Sequence, residues 1–136
     1  MNSIISIIRE NIDVSDELIA AIDASFAVVE FDLDGTVLNV NESFMKLTGY
    51  EEDEVVGQHH SMFLPEEMLN GPDYEMCWAD LRAGKRKQVE VPCITKSGDR
   101  IWVEETYAPV RNSDGELVKI VRFGVNVTER HEMVAD

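Results

Sequence analysis

The stretch Asp99–Arg130, DRIWVEETYAPVRNSDGELVKIVRFGVNVTER, predicts two long strands joined by a tight turn. We assign the turn to Asn112–Gly115, because its Asp-Gly pair supplies the backbone freedom that a short hairpin needs. β-Branched and aromatic residues dominate both flanks, as is typical of strands. The rest of the chain can be arranged around this hairpin.

The two strands of this hairpin differ in their patterning. On the second strand, alternation predicts two faces, Val121, Phe123, Val125 and Val127 against Ile120, Arg122, Gly124 and Asn126. On the first strand, Ile101, Val103, Glu105 and Tyr107 oppose Trp102, Glu104, Thr106, Ala108 and Val110. Since apolar side chains occur in both sets, we expect both faces of the sheet to be covered.

Composition limits the classes of function. The chain of 136 residues is long enough for one domain with a core, and its net charge of -15 disfavours nucleic acid and anionic membranes as partners. Cys77 and Cys93 have neither metal-ligand spacing nor disulfide-framework density, which suits a reducing compartment. No run is apolar enough to span a bilayer, and the start of the chain lacks the features of a secretory signal. We therefore expect a cytoplasmic protein.

The N-terminal region predicts two amphipathic helices, Ser3–Asn11 and Asp16–Ala24, with Ser15 as the N-cap of the second. Ile4, Ile8 and Ile12 share one helical face. This face can pack on the chain's own sheet, or it can form a homodimer with the face of Val121, Phe123 and Val125. The sequence leaves both possibilities open, and they are compatible.

The middle of the chain predicts a hairpin of Ala27–Asp32 with Thr36–Val40, followed by several short helices. Asn41 is the expected N-cap of a helix that ends at Gly49. A longer helix is expected over Asp73–Ala83 and a further strand over Gln88–Thr95. Two strands, helices and three more strands with short connections predict an antiparallel sheet and the α+β class.

Catalytic patterns are weak in this sequence. Glu104 and Glu105 are neighbours on a strand, so their carboxylates point to opposite faces and cannot share a substrate. No nucleophile has a plausible base, and the glycines form no phosphate-binding loop. We therefore expect that the chain is not an enzyme.

FDLDGTVLNVNESFMKLTGYEEDEVVGQ and KSGDRIWVEETYAPVRNSDGELVKIVRFGVNVTER together resemble a PAS sensory domain. The resemblance implies a five-stranded antiparallel sheet of order 2-1-5-4-3, with helices on one face around a pocket for a ligand. The resemblance covers residues 24–130 as the PAS domain; residues 1–23 are then expected to be an N-terminal helical cap or dimerisation segment, and residues 131–136 the start of an output linker. The segment HHSMF and the helix carrying Tyr74 and Trp78 further resemble PAS domains of methyl-accepting chemotaxis and aerotaxis-type receptors.

The end of the PAS resemblance concerns signal output. PAS domains usually end in Asp-x-Thr, which ties the last strand to the helix that carries the signal onward; here Asn126 and Thr128 hold those places. Asparagine keeps the hydrogen bonding and loses the charge. The resemblance implies coupling through these two residues to a downstream signalling module.

The resemblance also allows a comparison with the flavin-binding light-oxygen-voltage branch. Alignment on Gly57 puts His60 at the position of the photoreactive cysteine, so that adduct is excluded. The polar positions that hold flavin fall on Cys93, Val103 and Gly124, none of which replaces an asparagine or glutamine side chain. FAD held in another way is one alternative, and a cofactor-free interaction module is another.

The main expectation from the resemblance is a haem-based sensor of gas or redox state. His60, or else His59, would be the iron ligand, above a pocket lined by Ile101, Val103 and Phe123 or its neighbours. Gly124 leaves space where related haem domains have a tryptophan. Alternatively, both histidines are capping and hydrogen-bonding residues at a helix start. His131 is expected to be solvent-exposed.

Overall fold

A computed structural model describes residues 15–135 of the chain, with side chains through residue 131. The prediction of a helix over Ser3–Asn11, with its face of Ile4, Ile8 and Ile12, lies outside the described residues. Along the described chain the helices are α1 (Asp16–Ser25), α2 (Glu42–Thr48), α3 (Glu52–Val55), a 3-10 helix (His60–Phe63), α4 (Glu66–Leu69), α5 (Pro72–Arg82) and α6 (Thr128–Ala135). The strands are β1 (Ala27–Phe31), β2 (Val37–Val40), β3 (Lys87–Ile94), β4 (Arg100–Arg111) and β5 (Leu117–Asn126).

The five strands form one sheet of order β2-β1-β5-β4-β3, with every neighbouring pair antiparallel. The fold class and the strand order predicted from the sequence are therefore confirmed. The central hairpin is confirmed too: β4 and β5 flank a turn in which Gly115 has a φ of 81°. Glycine reaches this left-handed conformation without strain, which explains the Asp-Gly pair.

The two faces of the sheet bury different clusters. On the inner face, Phe31, Phe44, Trp78 and Tyr107 belong to the main core, which lies between the sheet and the short helices. The outer face holds a smaller cluster, in which Val28 and Val121 are buried and Phe26, Val110 and Phe123 pack against them. The expectation that both faces are covered is correct for the β5 centre, where Ile120, Val121 and Arg122 are all buried.

Asn41 joins three elements at one end of the sheet. Its Oδ1 accepts hydrogen bonds from the backbone N–H of Phe44, as the N-cap of α2, and from that of Val28 on β1. Its Nδ2 donates to the carbonyl of Phe26 and to Asp23 at the end of α1. The predicted N-cap is confirmed, and α2 ends as predicted at Gly49, whose φ is 81°.

Helix α5 begins at Pro72, one residue before the predicted start. Proline occupies the first helical position, where it has no N–H to leave unpaired. The helix carries Tyr74 and Trp78 towards the sheet. This placement brings both rings to the 3-10 helix that contains His60.

Among the described residues, no helix has the length and apolar character needed to span a membrane.

Candidate functional site

The 3-10 helix places His59 and His60 in opposite environments. His60 is buried within a group of rings, and its centroid lies 5.2 to 5.8 Å from those of Phe31, Trp78, Tyr74 and Tyr107. His59 is exposed; its Nδ1 accepts from the backbone N–H of Ser61, and its Nε2 lies 3.0 Å from the carbonyl oxygen of Asp34. His59 therefore caps the start of the 3-10 helix, as in the alternative interpretation of the sequence.

Both ring nitrogens of His60 have hydrogen-bond partners. Nδ1 lies 3.1 Å from the hydroxyl of Tyr74, and Nε2 lies 2.8 Å from the hydroxyl of Tyr107. Tyr107 donates its own proton to Glu105 Oε1 over 2.6 Å, so its oxygen accepts from His60 Nε2–H. Neutral His60 then accepts at Nδ1 from the Tyr74 hydroxyl.

The chain of hydrogen bonds ends in a buried ion pair. Glu105 Oε2 accepts from Arg122 Nη1 over 2.9 Å, and the two side chains are 2% and 1% exposed. Tyr107 and Arg122 are direct partners across β4 and β5, and Glu105 lies two residues from Tyr107 on the same face. The Arg122 guanidinium also lies 5.4 Å above the ring of Phe44. We call Tyr74, His60, Tyr107, Glu105 and Arg122 the buried polar chain.

Burial shifts the pKa values of the titratable groups in the buried polar chain. Desolvation, followed by the positive charge of Arg122, holds the pKa of His60 well below its usual value. Desolvation raises the pKa of Tyr74 to about 12, and desolvation with the nearby Glu105 carboxylate raises the pKa of Tyr107 well above its usual value. At neutral pH, the buried polar chain therefore consists of a neutral imidazole, two neutral phenols and one ion pair.

The lowered pKa of His60 predicts a pH dependence of stability. Below about pH 6.5 the unfolded chain protonates this histidine while the folded protein keeps it neutral, so the unfolded state binds more protons. This contribution is intact above that pH and decreases by up to about 1.4 kcal/mol per unit as the pH falls. Urea unfolding at pH 7, 6 and 5 measures it. The slope should be smaller in His60→Gln, with His59→Gln as the matched control, and equal slopes in all three proteins would contradict the prediction.

The expected haem ligation by His60 is not supported by this arrangement. An iron ligand needs an available imidazole nitrogen, whereas Tyr74 and Tyr107 engage both nitrogens of His60. His59 is exposed and does not face the interior, and the described residues contain no cluster of three or more metal-binding side chains. The interior around His60 is filled by aromatic rings of the chain itself.

The other proposed pocket residues are divided between the two faces of the sheet. Cys93 and Val103 are buried in the main core, and Ile101 packs against it. A Cβ at Gly124 would lie 3.0 Å from Val103 Cγ1, so even a methyl group at this position would require the Val103 side chain to shift. Of Phe123 and its neighbours, Phe123 lies on the outer face against Phe26, whereas Arg122 and Gly124 lie on the inner face. A thiol, an isopropyl group and a glycine cannot hydrogen-bond a flavin ring in the light-oxygen-voltage manner.

Asn126 and Thr128 form the junction between β5 and α6. Asn126 Oδ1 accepts from both the backbone N–H and the hydroxyl of Thr128, and Thr128 Oγ1 accepts from the backbone N–H of Trp102. The junction thus keeps its hydrogen bonds without the usual aspartate charge. The expectation that His131 is solvent-exposed is wrong: its ring is half-buried, stacks on Trp102 and bonds to Glu90.

Sequence reasoning missed Glu105, Tyr107 and Arg122 as members of a site. One feature of the sequence could have indicated them. Each strand of the central hairpin has a charged residue, Glu105 on β4 and Arg122 on β5, at a position on the inward-facing side of the alternation. Their pairing depends on the β4–β5 register, which places Tyr107 opposite Arg122. The contribution of His60 depends on packing between the 3-10 helix and the sheet.

The chain has relatives among curated proteins. It is 37% identical over 118 residues to the biofilm dispersion protein BdlA of Pseudomonas aeruginosa, covering 84% of this chain and 28% of BdlA. It is 30% identical over 95 residues to a blue-light-activated histidine kinase of Brucella anthropi, covering 70% of this chain and 19% of the kinase. The chain therefore spans less than a third of the length of either relative.

Solved structures show the same architecture. An RNA-binding light-oxygen-voltage receptor matches with a TM-score of 0.75 and 28% identity, over 85% of this chain and 33% of the receptor chain. A PAS domain from Colwellia psychrerythraea matches with a TM-score of 0.71 and 23% identity, over 84% of this chain and 97% of that domain. The family profile described as PAS domain matches residues 24–129. On this match, together with the sheet order, the chain belongs to the PAS domain family.

Proposed function

We propose that this chain is the cofactor-free sensor and interaction domain of a cytoplasmic, chemotaxis-type signal transduction protein. The observation that carries the proposal is the engagement of both His60 nitrogens by Tyr74 and Tyr107, inside a core of aromatic rings. The buried polar chain and the surrounding aromatic rings fill the space around His60 between the 3-10 helix and the inner face of the sheet. The domain has no catalytic role of its own in this proposal.

The signal would leave through α6. The buried polar chain ends on β4 and β5, and the same two strands hold the start of α6 through Trp102 and Asn126. A partner that binds one arrangement of the sheet more tightly would shift the position of this helix, with a coupling of about 1–3 kcal/mol. Asn126 and Thr128 are the proposed coupling residues, and a downstream signalling module is the proposed receiver.

An FAD-binding redox sensor is the second candidate. The similarity to a blue-light-activated histidine kinase and to a light-oxygen-voltage receptor favours it. The side chains at Cys93, Val103 and Gly124 argue against a flavin held in the light-oxygen-voltage manner. Binding in another orientation would be needed.

Visible absorption of the purified protein separates these functions, before and after addition of FAD or hemin. We expect no flavin band and no Soret band that depends on His60. The comparison uses His60→Ala with His59→Ala as the matched control. A yellow protein that retains FAD through gel filtration would favour the second candidate. A Soret band lost in His60→Ala alone would overturn the cofactor-free proposal.

We also propose that the domain forms a homodimer through its N-terminal segment and the outer sheet face. On that face Val125 is 39% exposed, beside Val121 and Phe123. Elsewhere, on α1, Leu18 is 49% exposed. These apolar side chains suit an isologous contact with a second copy. Deletion of residues 1–14 should reduce the mass measured by light scattering from dimer to monomer. An unchanged mass would contradict this mode of association, and Val125→Asp provides a second test in the full chain.

A further inference from the structure

Three exposed arginines lie around the turn at Gly84, which connects α5 to β3. Arg82 ends α5 and Arg86 precedes β3, so each is two residues from Gly84. Arg111, at the end of β4, reaches the same turn from the sheet: a Cβ on Gly84 would lie 2.5 Å from Arg111 Nη2. We call Arg82, Arg86 and Arg111 the arginine patch.

The arginine patch has no carboxylate partner. Among the residues whose side chains the structure describes, every other lysine and arginine forms an ion pair with an aspartate or glutamate. Arg82 bonds to the carbonyl of Leu33 over 3.5 Å, and Arg111 bonds to the carbonyl of Gly115 over 2.9 Å. The chain has 27 acidic and 12 basic residues, so carboxylates are plentiful and three unpaired guanidiniums at one turn are unexpected.

The carboxylates of the two neighbouring turns leave the patch available. Asp32 accepts from backbone N–H groups within its own turn, and Glu116 accepts from the amide of Asn112. Asp34 and Asp114 are exposed and form no ion pair with any residue that the structure describes. A guanidinium has five N–H donors, so the three arginines keep most of their donors for another molecule.

An exposed apolar side chain lies next to the patch. The register of β4 and β5 shifts beside Arg111, and this shift leaves Val118 on β5 without a partner on β4. The Val118 side chain is 38% exposed. Both residues are far from α6, because Trp102, which bonds to the start of that helix, lies roughly 30 Å from Arg111 along β4 at about 3.3 Å per residue.

We infer that the arginine patch is a docking site for an acidic segment of a partner protein, with Val118 receiving an apolar side chain of that segment. The planar guanidinium forms two parallel hydrogen bonds with a carboxylate, which the ammonium of lysine cannot do. The other carboxylates of the chain act only weakly on a short segment, since charges more than about 8 Å apart are screened at physiological ionic strength.

The size of the patch favours a short protein segment over nucleic acid. Nucleic-acid sites follow the phosphate backbone with a stripe of cations, whereas these arginines surround a single turn. The net charge of −15 would also repel a long polyanion. This site goes beyond the proposed function, which assigns output to α6 at the other end of β4.

Fluorescence anisotropy of the full chain with a labelled peptide tests the inference. The probe is a fluorescein-labelled peptide of glutamates with a central pair of leucines, and the control peptide has glutamine in place of each glutamate. We expect saturable binding of the acidic peptide and binding of the control peptide that is weaker by about tenfold or more.

Matched variants test whether the arginine patch is the binding site. The patch variant combines Arg82→Gln, Arg86→Gln and Arg111→Gln, and it should raise the Kd of the acidic peptide by about tenfold. The control variant combines Lys46→Gln, Lys96→Gln and Arg100→Gln, which removes three exposed, paired cations elsewhere and changes the net charge equally. Its Kd should stay close to that of the wild type. Arg86→Gln alone should raise the Kd by about two- to fivefold, and its side chain has no hydrogen bond in the described structure whose loss could disturb the fold.

Two kinds of result would overturn the inference. One is equal affinity of the patch and control variants, or an absence of binding at about 1 mM protein. The other is a single-stranded oligonucleotide that binds more tightly than the acidic peptide and loses affinity in the patch variant, which would assign the site to nucleic acid. FAD and hemin take no part in these measurements, so the outcome is separate from the absorption test of the proposed function.

Discussion

Glu105→Gln is expected to lower the free energy of unfolding by about 3–5 kcal/mol. Glutamine retains an acceptor for the Tyr107 hydroxyl, but it removes the negative charge that faces Arg122. The guanidinium of Arg122 is 1% exposed, so it would be left as an uncompensated charge in the core. Equilibrium urea unfolding at neutral pH measures the loss.

A double-mutant cycle separates the lost charge pairing from a simple packing defect. Arg122→Met removes the other charge and should also cost about 3–5 kcal/mol, because it leaves the Glu105 carboxylate buried. The double variant Glu105→Gln with Arg122→Met should lose clearly less than the sum of the two single variants, since neither charge remains. Additive losses would show that the two residues act independently. Lys46→Met, which breaks an exposed pair with Glu42, is the surface control and should change stability by less than about 1 kcal/mol.

Asn41→Ala has the second largest expected effect, a loss of about 3–4 kcal/mol from N-cap removal and unpaired buried N–H groups. The side chain is buried and serves the backbone of both Val28 and Phe44. Alanine would leave these two donors without their acceptor and would release the carbonyl of Phe26. Urea unfolding measures the change.

Asn41→Asp tests whether the Oδ1 acceptor or the Nδ2 donor of the amide contributes more to stability. Aspartate retains the two acceptor functions towards Val28 and Phe44, but it loses both N–H donors and places a charge near Asp23. We expect it to fall between wild type and Asn41→Ala. Ser15→Ala is the matched cap control, because that N-cap is exposed and accepts from Leu18 alone among the described contacts; it should cost about 0.5–1 kcal/mol. Equal losses in Ser15→Ala and Asn41→Ala would contradict the role given to Asn41 in joining three elements.

The pattern of residues was sufficient to predict the helices and strands and their order along the chain. Gly115 supplies the left-handed residue of the β4–β5 turn, and Asn41 and Gly49 begin and end α2, because these are local requirements that single residues express. The period of two in β5 separated its faces correctly, since alternation is a property of the strand itself. Short connections between the strands then favoured antiparallel pairing.

The site was less accessible from the sequence. The PAS resemblance favoured His60 over His59 as the inward-facing residue, but the partners of His60, Tyr74 and Tyr107, lie 14 and 47 positions away, and only packing brings them together. The patterning of β5 separated its two sides without showing which faced the helices. For this reason Phe123 and its neighbours remained alternatives for the pocket lining, and the structure places Arg122 and Gly124 on the inner face.

The sequence by itself therefore determined the five strands, the capped helices and the PAS resemblance, because backbone conformation and alternation are set by near neighbours. The tertiary structure decided which polar side chains meet. The Glu105–Arg122 pair depends on the register of β4 and β5, and the His131–Trp102 stack depends on α6 folding back onto β4. Desolvation and the distances between charges exist only after that packing, and they decide that His60 is a neutral, hydrogen-bonded member of the core.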